Sequence, residues 1–152
     1  FDCVTINPYM GSDSVDPFLE NREKGVFLLA KTSNPSAGIL QDIKEKGIPI
    51  YERVVHMAQE LNHNNNIGLV VGATAPKDLK NIRSIAPGMP ILIPGVGAQG
   101  GDLNTCMKIG NTNGICLINI SRSISFAGDM SPKSIKDASS NFLAQMHEAI
   151  NK

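Results

Sequence analysis

Five short apolar runs, each continuous rather than alternating with polar residues, constrain the fold of this sequence more than any other feature. They span residues 3–6, 26–30, 67–71, 91–93 and 115–118. Continuous apolar runs are typical of parallel strands that are buried on both faces. A turn rich in Gly, Pro, Asn or Ser follows each run, and a helical pattern follows each turn, so the chain consists of five consecutive βα units.

The helical patterns begin at recognisable capping residues. We predict a short helix over residues 12–20 and longer helices over 49–61, 76–86, 101–109 and 132–150. Pro76 suits the first position of a helix, Asp102 lies near the start of the fourth, and Ser131 is a candidate N-cap for the fifth. Residues 36–47 form a loop that is too long for a simple connector.

The repeated βα order predicts an α/β fold with a parallel sheet and right-handed crossovers. Two architectures fit: an open doubly wound sheet, or five consecutive units of a (β/α)8 TIM barrel, with residues 1–152 as a single partial domain. Five units cannot close a barrel of eight strands and would leave two hydrophobic edges. A barrel would therefore need further units, which we expect on the amino-terminal side.

Composition argues against several classes of function. Lys and Arg number 14 and Asp and Glu number 14, so the basic excess of a general nucleic-acid binder is absent. No apolar run approaches the roughly 20 residues of a membrane helix. The three cysteines have no metal-ligand spacing, and the three histidines do not follow strands, so we expect no metal site. A cytoplasmic protein with reduced, buried thiols is the simplest interpretation.

In both architectures, ligands bind at the carboxyl ends of the strands. The fourth run is followed by PGVGAQGGD (residues 94–102), in which glycines allow backbone N–H groups to approach a ligand closely. The helix that starts at once after this loop would favour an anion at its N-terminus. Ser121 and Arg122 follow the fifth run, and a guanidinium can grip a phosphate. The last two units together therefore predict a phosphate site.

Four segments resemble the orotidine 5′-monophosphate decarboxylase family. They are residues 94–102, SRSI at 121–124, DCVTINPYMGSDSVDPFL at 2–19 and KTSNPSA at 31–37. The likeness extends to about residue 126, and it implies that the five units are barrel strands four to eight. It also implies that Gln99 hydrogen-bonds the 5′-phosphate with the loop amides, while Arg122 pairs with that phosphate beside the Ser121 backbone.

The same resemblance implies contacts for the base and an activity. Ser33 would contact the amide edge of the pyrimidine, Pro94 would pack near the base, and Asn7 would lie close to the pocket as a lesser contact. The implied reaction converts orotidine 5′-monophosphate (OMP) to uridine 5′-monophosphate (UMP) in de novo pyrimidine biosynthesis, without cofactor or metal. The implied assembly is a homodimer with active sites at its interface.

The sequence departs from the family in its catalytic residues. The family uses a Lys at one strand end and an Asp-x-Lys-x-x-Asp array at another, and neither is present here. Two stretches that begin at Asp42 and Asp78 start like the array but lack its second Asp, and we expect them to be solvated charges. No catalytic residue is therefore expected in this segment, and residues 1–152 alone should not decarboxylate OMP.

Two other functions remain open on the residues alone. The first is another phosphate-binding barrel enzyme, such as a sugar-phosphate synthase or an aldolase relative. The second is a non-catalytic nucleotide-binding module built on an open α/β sheet. The native protein would then lack the catalytic residues altogether.

Overall fold

The computed structural model describes residues 1–151. Its strands are β1 (Cys3–Ile6), β2 (Gly25–Lys31), β3 (Lys44–Glu45), β4 (Ile48–Pro49), β5 (Ile67–Val71), β6 (Ile91–Pro94) and β7 (Cys116–Asn119). Its helices are α1 (Gly38–Gln41), α2 (Ile50–Leu61), α3 (Pro76–Ile85), α4 (Leu103–Gly110), α5 (Arg122–Ser125) and α6 (Pro132–Asn151).

The five predicted strands form one parallel sheet in the order β1-β2-β5-β6-β7, and β3 and β4 form a separate antiparallel pair. The spatial order of the sheet follows the order along the chain. A doubly wound sheet reverses its order at a switch point, and the described residues contain no such reversal. Consecutive barrel units give the observed order, and β1 and β7 lie at two open edges.

One face of the sheet packs against helices and carries the core. Parallel register pairs Val26 with Ile67 and Leu28 with Leu69, and all four side chains are buried on this face. Strand β5 lies at the centre of the sheet and is buried at each of its five positions. Helix α2 contributes Tyr51, Val55 and Ala58 to the same core through its spacing of three and four residues.

The opposite face of the sheet is partly open. Phe27, Leu29 and Leu92 alternate with core residues along β2 and β6, and they are only partly buried. Leu117 of the edge strand β7 is 46% exposed. This open face is apolar, which is typical of the interior side of a barrel wall rather than of a solvated sheet surface.

The predicted starts of α4 and α6 are confirmed. The Asp102 carboxylate accepts a hydrogen bond of 2.8 Å from the Thr105 amide, and the Ser131 hydroxyl accepts one of 3.2 Å from the Ser134 amide. Both are side-chain caps that satisfy an otherwise free amide in the first helical turn. Pro76 occupies the start of α3, as predicted.

Two segments differ from the sequence-based expectation. The predicted helix over 12–20 is wrong: two 3₁₀ turns, Ser12–Ser14 and Asp16–Phe18, occupy this region, and a third, Pro8–Met10, precedes it. Pro17 lacks the N–H that a continuous α-helix would use to bond the carbonyl of residue 13, which interrupts the helix. The long loop over 36–47 contains α1 and β3, and β3 pairs with β4 just beyond it; none of these three elements was predicted.

The three cysteines are free, but they do not share one environment. Cys106 is buried, Cys116 is partly buried and Cys3 is exposed on the edge strand β1. The expectation of buried thiols is therefore wrong for Cys3. An edge strand has a neighbouring strand on one side only, so its side chains are less covered. No helix within residues 1–151 is long and apolar enough to cross a membrane.

Arg83 joins several elements at the amino-terminal ends of the strands. Its guanidinium donates hydrogen bonds to the carbonyl oxygens of Met89, Gly110 and Ile115 at 2.6, 2.6 and 3.0 Å. The side chain is buried, and burial lowers the pKa of the guanidinium. These contacts connect α3 to the segments before β6 and β7 and to the end of α4.

Candidate functional site

The carboxyl ends of β2, β6 and β7 bring three predicted site residues to one place. Ser33 follows β2, Gln99 belongs to the glycine-rich loop after β6, and Arg122 follows β7. All three line a pocket of about 450 Å³. Parallel strands direct their carboxyl ends to one edge of the sheet, which is why residues far apart in sequence meet there.

Ser33 and Gln99 are in direct contact across this pocket. The Ser33 hydroxyl donates a hydrogen bond of 2.6 Å to the Oε1 atom of Gln99. The contact joins the loop after β2 to the glycine-rich loop after β6, so the two loops form one continuous wall of the pocket.

Arg122 gives the site its charge. It lines the pocket that contains Ser33 and also a smaller one of about 130 Å³ with Gly95, Ala98 and Gln99. Among the described residues that line these two pockets, Arg122 is the only one with a formal charge. Its guanidinium forms no ion pair within residues 1–151 and is available for an anion.

The glycine-rich loop uses some of its amides internally and leaves others available. Gly100 donates to the Gly97 carbonyl at 2.7 Å, and Gly101 donates to the Gly95 carbonyl at 3.2 Å. Over the part of the chain that the structure describes, the amides of Ala98 and Gln99 take no part in such bonds. Two backbone donors at the tip of the loop therefore lie beside the Arg122 pocket, an arrangement suited to a phosphate group.

The N-terminus of α4, which the sequence suggested as part of an anion site, is capped by a side chain of this chain. The carboxylate of Asp102 already occupies it, and hydrogen bonds from Thr105 hold the pKa of Asp102 below its ordinary value. A capping carboxylate satisfies the helix and opposes a second anion at the same amides. The glycine-rich loop and Arg122 therefore offer the more accessible donors for an anion.

Gly72 allows the Ser33 loop to lie directly on the end of β5. A Cβ atom at Gly72 would lie 2.7 Å from the Ser33 amide nitrogen and 2.9 Å from its Cα atom. These are backbone atoms, which cannot rotate away. The close approach fixes the height of Ser33 above the sheet, and any larger residue at position 72 would displace it.

A cluster of charged side chains lies beside the same loop. The buried ammonium of Lys31 pairs with the Asp42 carboxylate, lies 3.6 Å from the Asp78 carboxylate and sits 5.2 Å from the centre of the Tyr51 ring. The expectation of solvated charges needs correction for Asp78, whose side chain is 30% exposed, whereas Asp42 is 54% exposed but is paired with Lys31. The end of α1 and the first turn of α3 both reach the carboxyl end of β2, a proximity that sequence spacing does not reveal.

Comparison with known proteins identifies the family. The sequence profile described as "Orotidine 5′-phosphate decarboxylase / HUMPS family" matches residues 1–134. This chain belongs to that family. It is 50% identical over 129 residues to the orotidine 5′-phosphate decarboxylase of Haloarcula marismortui, covering 84% of this chain and 47% of the relative.

Solved structures of the decarboxylase family share the fold described above. The OMP decarboxylase of Leishmania donovani has a TM-score of 0.86 and 34% identity, with 97% of this chain and 57% of that chain covered. A Toxoplasma gondii protein described as a putative orotidine-monophosphate decarboxylase has a TM-score of 0.89 and 34% identity, with 97% and 58% covered. The chain spans about half the length of the curated relatives it matches. Its five βα units are thus an incomplete TIM barrel of the decarboxylase family.

The six residues to which the decarboxylase resemblance gives substrate contacts fall into two groups. Five of them line the two connected pockets: Ser33, Pro94, Gln99, Ser121 and Arg122. Their contact with a nucleotide stays a prediction.

Asn7, the sixth of these residues, does not lie with the other five. It lies at the carboxyl end of the edge strand β1, and its side-chain oxygen accepts a hydrogen bond of 3.1 Å from the Tyr9 amide. The side chain thus caps a 3₁₀ turn and does not line either of the two pockets.

The sequence reasoning missed the residues that hold the Ser33 loop in this decarboxylase-family fold. The sequence patterns assign no functional role to Lys31, Gln41 or Tyr51. The one available signal was a lysine at the end of an otherwise apolar strand, because a buried cation requires partners. Within the described residues, no group of three or more His, Cys, Asp or Glu side chains could hold a metal ion.

Proposed function

We propose that the protein containing this chain converts OMP to UMP, and that this segment supplies mainly its phosphate- and pyrimidine-binding half. The observation that carries the proposal is the shared pocket of Ser33, Gln99 and Arg122. We further propose that residues 1–152 form a single partial barrel domain, that the protein works in the cytoplasm, and that it forms a homodimer.

Different groups of the pocket would bind the two ends of the nucleotide, its phosphate and its base. The phosphate dianion binds the Arg122 guanidinium and the amides of Ala98 and Gln99, because charge-assisted hydrogen bonds to phosphate are the strong ones. The Ser33 hydroxyl faces the polar edge of the pyrimidine, with Pro94 against the base. Binding energy from the phosphate, remote from the reacting carbon, can then be used to hold the loops closed in the transition state.

The chemical step belongs to residues outside this chain. The carboxylate group leaves the pyrimidine ring as CO₂, the electron pair of the broken C–C bond stays on the ring carbon, and a proton must be added there. Neither the Lys nor the Asp-x-Lys-x-x-Asp array of the family is present in the sequence. The relatives are about twice as long as this chain. We therefore propose that further barrel units provide the array and cover the open apolar face of the sheet.

The family description also includes HUMPS proteins, so family membership alone does not select the reaction. The curated relatives named orotidine 5′-phosphate decarboxylase, at 42–50% identity, favour decarboxylation over the sugar-phosphate alternative. A binding competition between UMP and sugar phosphates on the full-length protein separates the two.

The decisive experiment is a decarboxylation assay on the full-length protein and its Arg122→Ala variant. Loss of a bidentate charged contact predicts a fall in kcat/KM of roughly 10²- to 10³-fold. Arg22→Ala is the matched control, because Arg22 is an exposed arginine just before β2, at the opposite end of the sheet. Full-length protein without decarboxylase activity, or equal kcat/KM in both variants, would contradict the proposal.

A further inference from the structure

Gln41, near the end of α1, holds Thr32 by two hydrogen bonds. The Thr32 amide donates to the Gln41 Oε1 atom at 3.0 Å, and the Gln41 Nε2 atom donates to the Thr32 hydroxyl at 2.9 Å. The side-chain amide thus satisfies both the backbone donor and the hydroxyl of one residue. Thr32 immediately precedes Ser33.

Asp42, which follows Gln41 at the end of α1, holds Lys31, the residue before Thr32. Its carboxylate pairs with Lys31, which also lies close to Asp78 and to the ring of Tyr51. Two consecutive residues, Gln41 and Asp42, therefore hold two consecutive residues, Lys31 and Thr32.

A register shift in β2 directs Lys31 toward these partners. Regular alternation would give Lys31 the orientation of Phe27 and Leu29, on the open face of the sheet. The register shifts between Leu29 and Lys31, and Lys31 pairs with Val71, which belongs to the helix-covered face. The irregularity thereby removes a cation from the face where the nucleotide base would lie and buries it among carboxylates instead.

Little freedom remains between this anchor and Ser33. The Lys31 carbonyl accepts a hydrogen bond of 2.7 Å from the Gly72 amide, and Ser33 rests on the Gly72 backbone. The Ser33 hydroxyl then reaches Gln99 at 2.6 Å. The contacts of Gln41 and Asp42 with Thr32 and Lys31, the close packing of Ser33 on Gly72 and the hydrogen bond to Gln99 together fix one position for this hydroxyl.

We propose that Gln41, Asp42 and Lys31 are positioning residues that hold the Ser33 hydroxyl against the pyrimidine of a bound nucleotide. The proposal rests on the proposed function and assigns the insert formed by α1, β3 and β4 to recognition of the base. These residues line neither of the two pockets that contain Arg122, and they act through Ser33. Preorganised contacts of this kind matter because small displacements of a binding group weaken recognition strongly.

The test compares two ligands of the full-length protein, UMP and inorganic phosphate. Gln41→Ala removes both hydrogen bonds to Thr32 and does not alter Arg122 or the glycine-rich loop. We expect its Kd for UMP to rise roughly tenfold, the worth of one or two hydrogen bonds. Its Kd for inorganic phosphate should rise by less than about threefold, because the Arg122 guanidinium and the loop amides remain and only the orientation of Gln99 is affected. A merely structural defect would weaken both ligands by the same factor, and that result would overturn the proposal.

A double-mutant cycle adds a second readout. In a Ser33→Ala background the hydroxyl that Gln41 positions is gone, so Gln41→Ala should cost UMP binding almost nothing further. An equal cost of Gln41→Ala in both backgrounds would show that Gln41 does not act through Ser33.

Two further variants complete the design. Asp42→Asn keeps the shape of the side chain but removes its charge, and we expect a smaller loss of UMP binding in the same direction. Lys44→Ala is the control, because Lys44 is an exposed lysine in the same insert. The binding measurements do not depend on turnover, so a full-length protein that binds UMP without decarboxylating OMP would refute the proposed function alone. Failure of the wild-type protein to bind UMP would overturn both.

Discussion

Ser33 and Gln99 are 66 positions apart in the sequence, yet their side chains share a hydrogen bond of 2.6 Å. Because the Gln99 Oε1 atom accepts the serine proton, the Nε2 group of the same amide keeps both of its donors for a ligand. The contact therefore orients Gln99 with its donating side free, as an anion requires. It also couples the loop that would meet the base to the loop that would meet the phosphate.

Ser33→Ala tests this coupling directly. Removing the hydroxyl frees Gln99 to rotate and removes one contact with the base, so we expect kcat/KM for OMP to fall about tenfold or more. Steady-state kinetics on the full-length protein measure the change. Ser139→Ala, at an exposed position on α6, should match the wild type. A Ser33→Ala variant with wild-type kcat/KM would rule out a role for the contact.

Gly72→Ala and Gly88→Ala should have opposite phenotypes. A Cβ atom at position 72 would lie 2.7 Å from the Ser33 amide nitrogen, so the loop must move and kcat/KM should fall at least about tenfold. At Gly88 no atom lies within 4 Å, but φ is +83°. Gly88→Ala should therefore lower the free energy of unfolding by about 1 kcal/mol through backbone strain and leave activity unchanged.

Kinetics and urea unfolding of both full-length variants separate the two effects. Reduced activity in the Gly88 variant at wild-type stability would contradict the assignment, as would a fully active Gly72 variant.

The strands and the glycine-rich loop were predictable because their signals are local. A parallel strand buried on both faces must be apolar at every position, and β5, with its sequence IGLVV, is buried throughout. The position of Gln99 and Arg122 in the same pockets was predictable from topology, since the two residues follow the carboxyl ends of neighbouring strands. The order of the sheet then distinguished the two architectures that the sequence left open.

The anchor of the Ser33 loop could not be predicted because it depends on long-range geometry. The register shift before Lys31 changes the face on which its side chain lies, and nothing in the sequence GVFLLAK marks it. The pairing of Lys31 with Asp78 requires the start of α3 to lie beside the end of β2. The same limit applies to Arg83, whose partners are carbonyl groups and leave no trace in residue type.

Arg83→Met should destabilise the full-length protein strongly. The change removes the donors to the Met89 and Gly110 carbonyls, and each buried acceptor left without a partner costs about 1–3 kcal/mol. The Ile115 carbonyl loses one donor but keeps the Ile91 amide at 3.1 Å. We expect the free energy of unfolding to fall by about 3 kcal/mol or more, measured by urea titration. Arg22→Met, at an exposed site, should stay within about 0.5 kcal/mol of the wild type. A loss below about 1 kcal/mol for Arg83→Met would mean that the carbonyl groups find other donors.

Cys106 should make the free energy of unfolding depend on pH in the alkaline range. Burial, reinforced by the charges of Asp102 and Cys116, raises the pKa of its thiol from 9.0 to about 11. Between these values the unfolded chain has lost the proton and the folded chain keeps it, so stability present below pH 9.0 is lost as pH rises toward about 11. The loss should be of the order of 2 kcal/mol over this window.

Urea midpoints at about pH 8 and about pH 10.5 measure the effect of the Cys106 thiol. Cys106→Ala removes the titrating group, so its midpoint should change less between the two pH values than that of the wild type. Cys3→Ala keeps Cys106 and should retain the wild-type pH dependence. Identical pH dependence in the Cys106→Ala variant and the wild type would show that the thiol ionises equally in the folded and unfolded chains, and that its burial against the Ala73 carbonyl does not affect its titration.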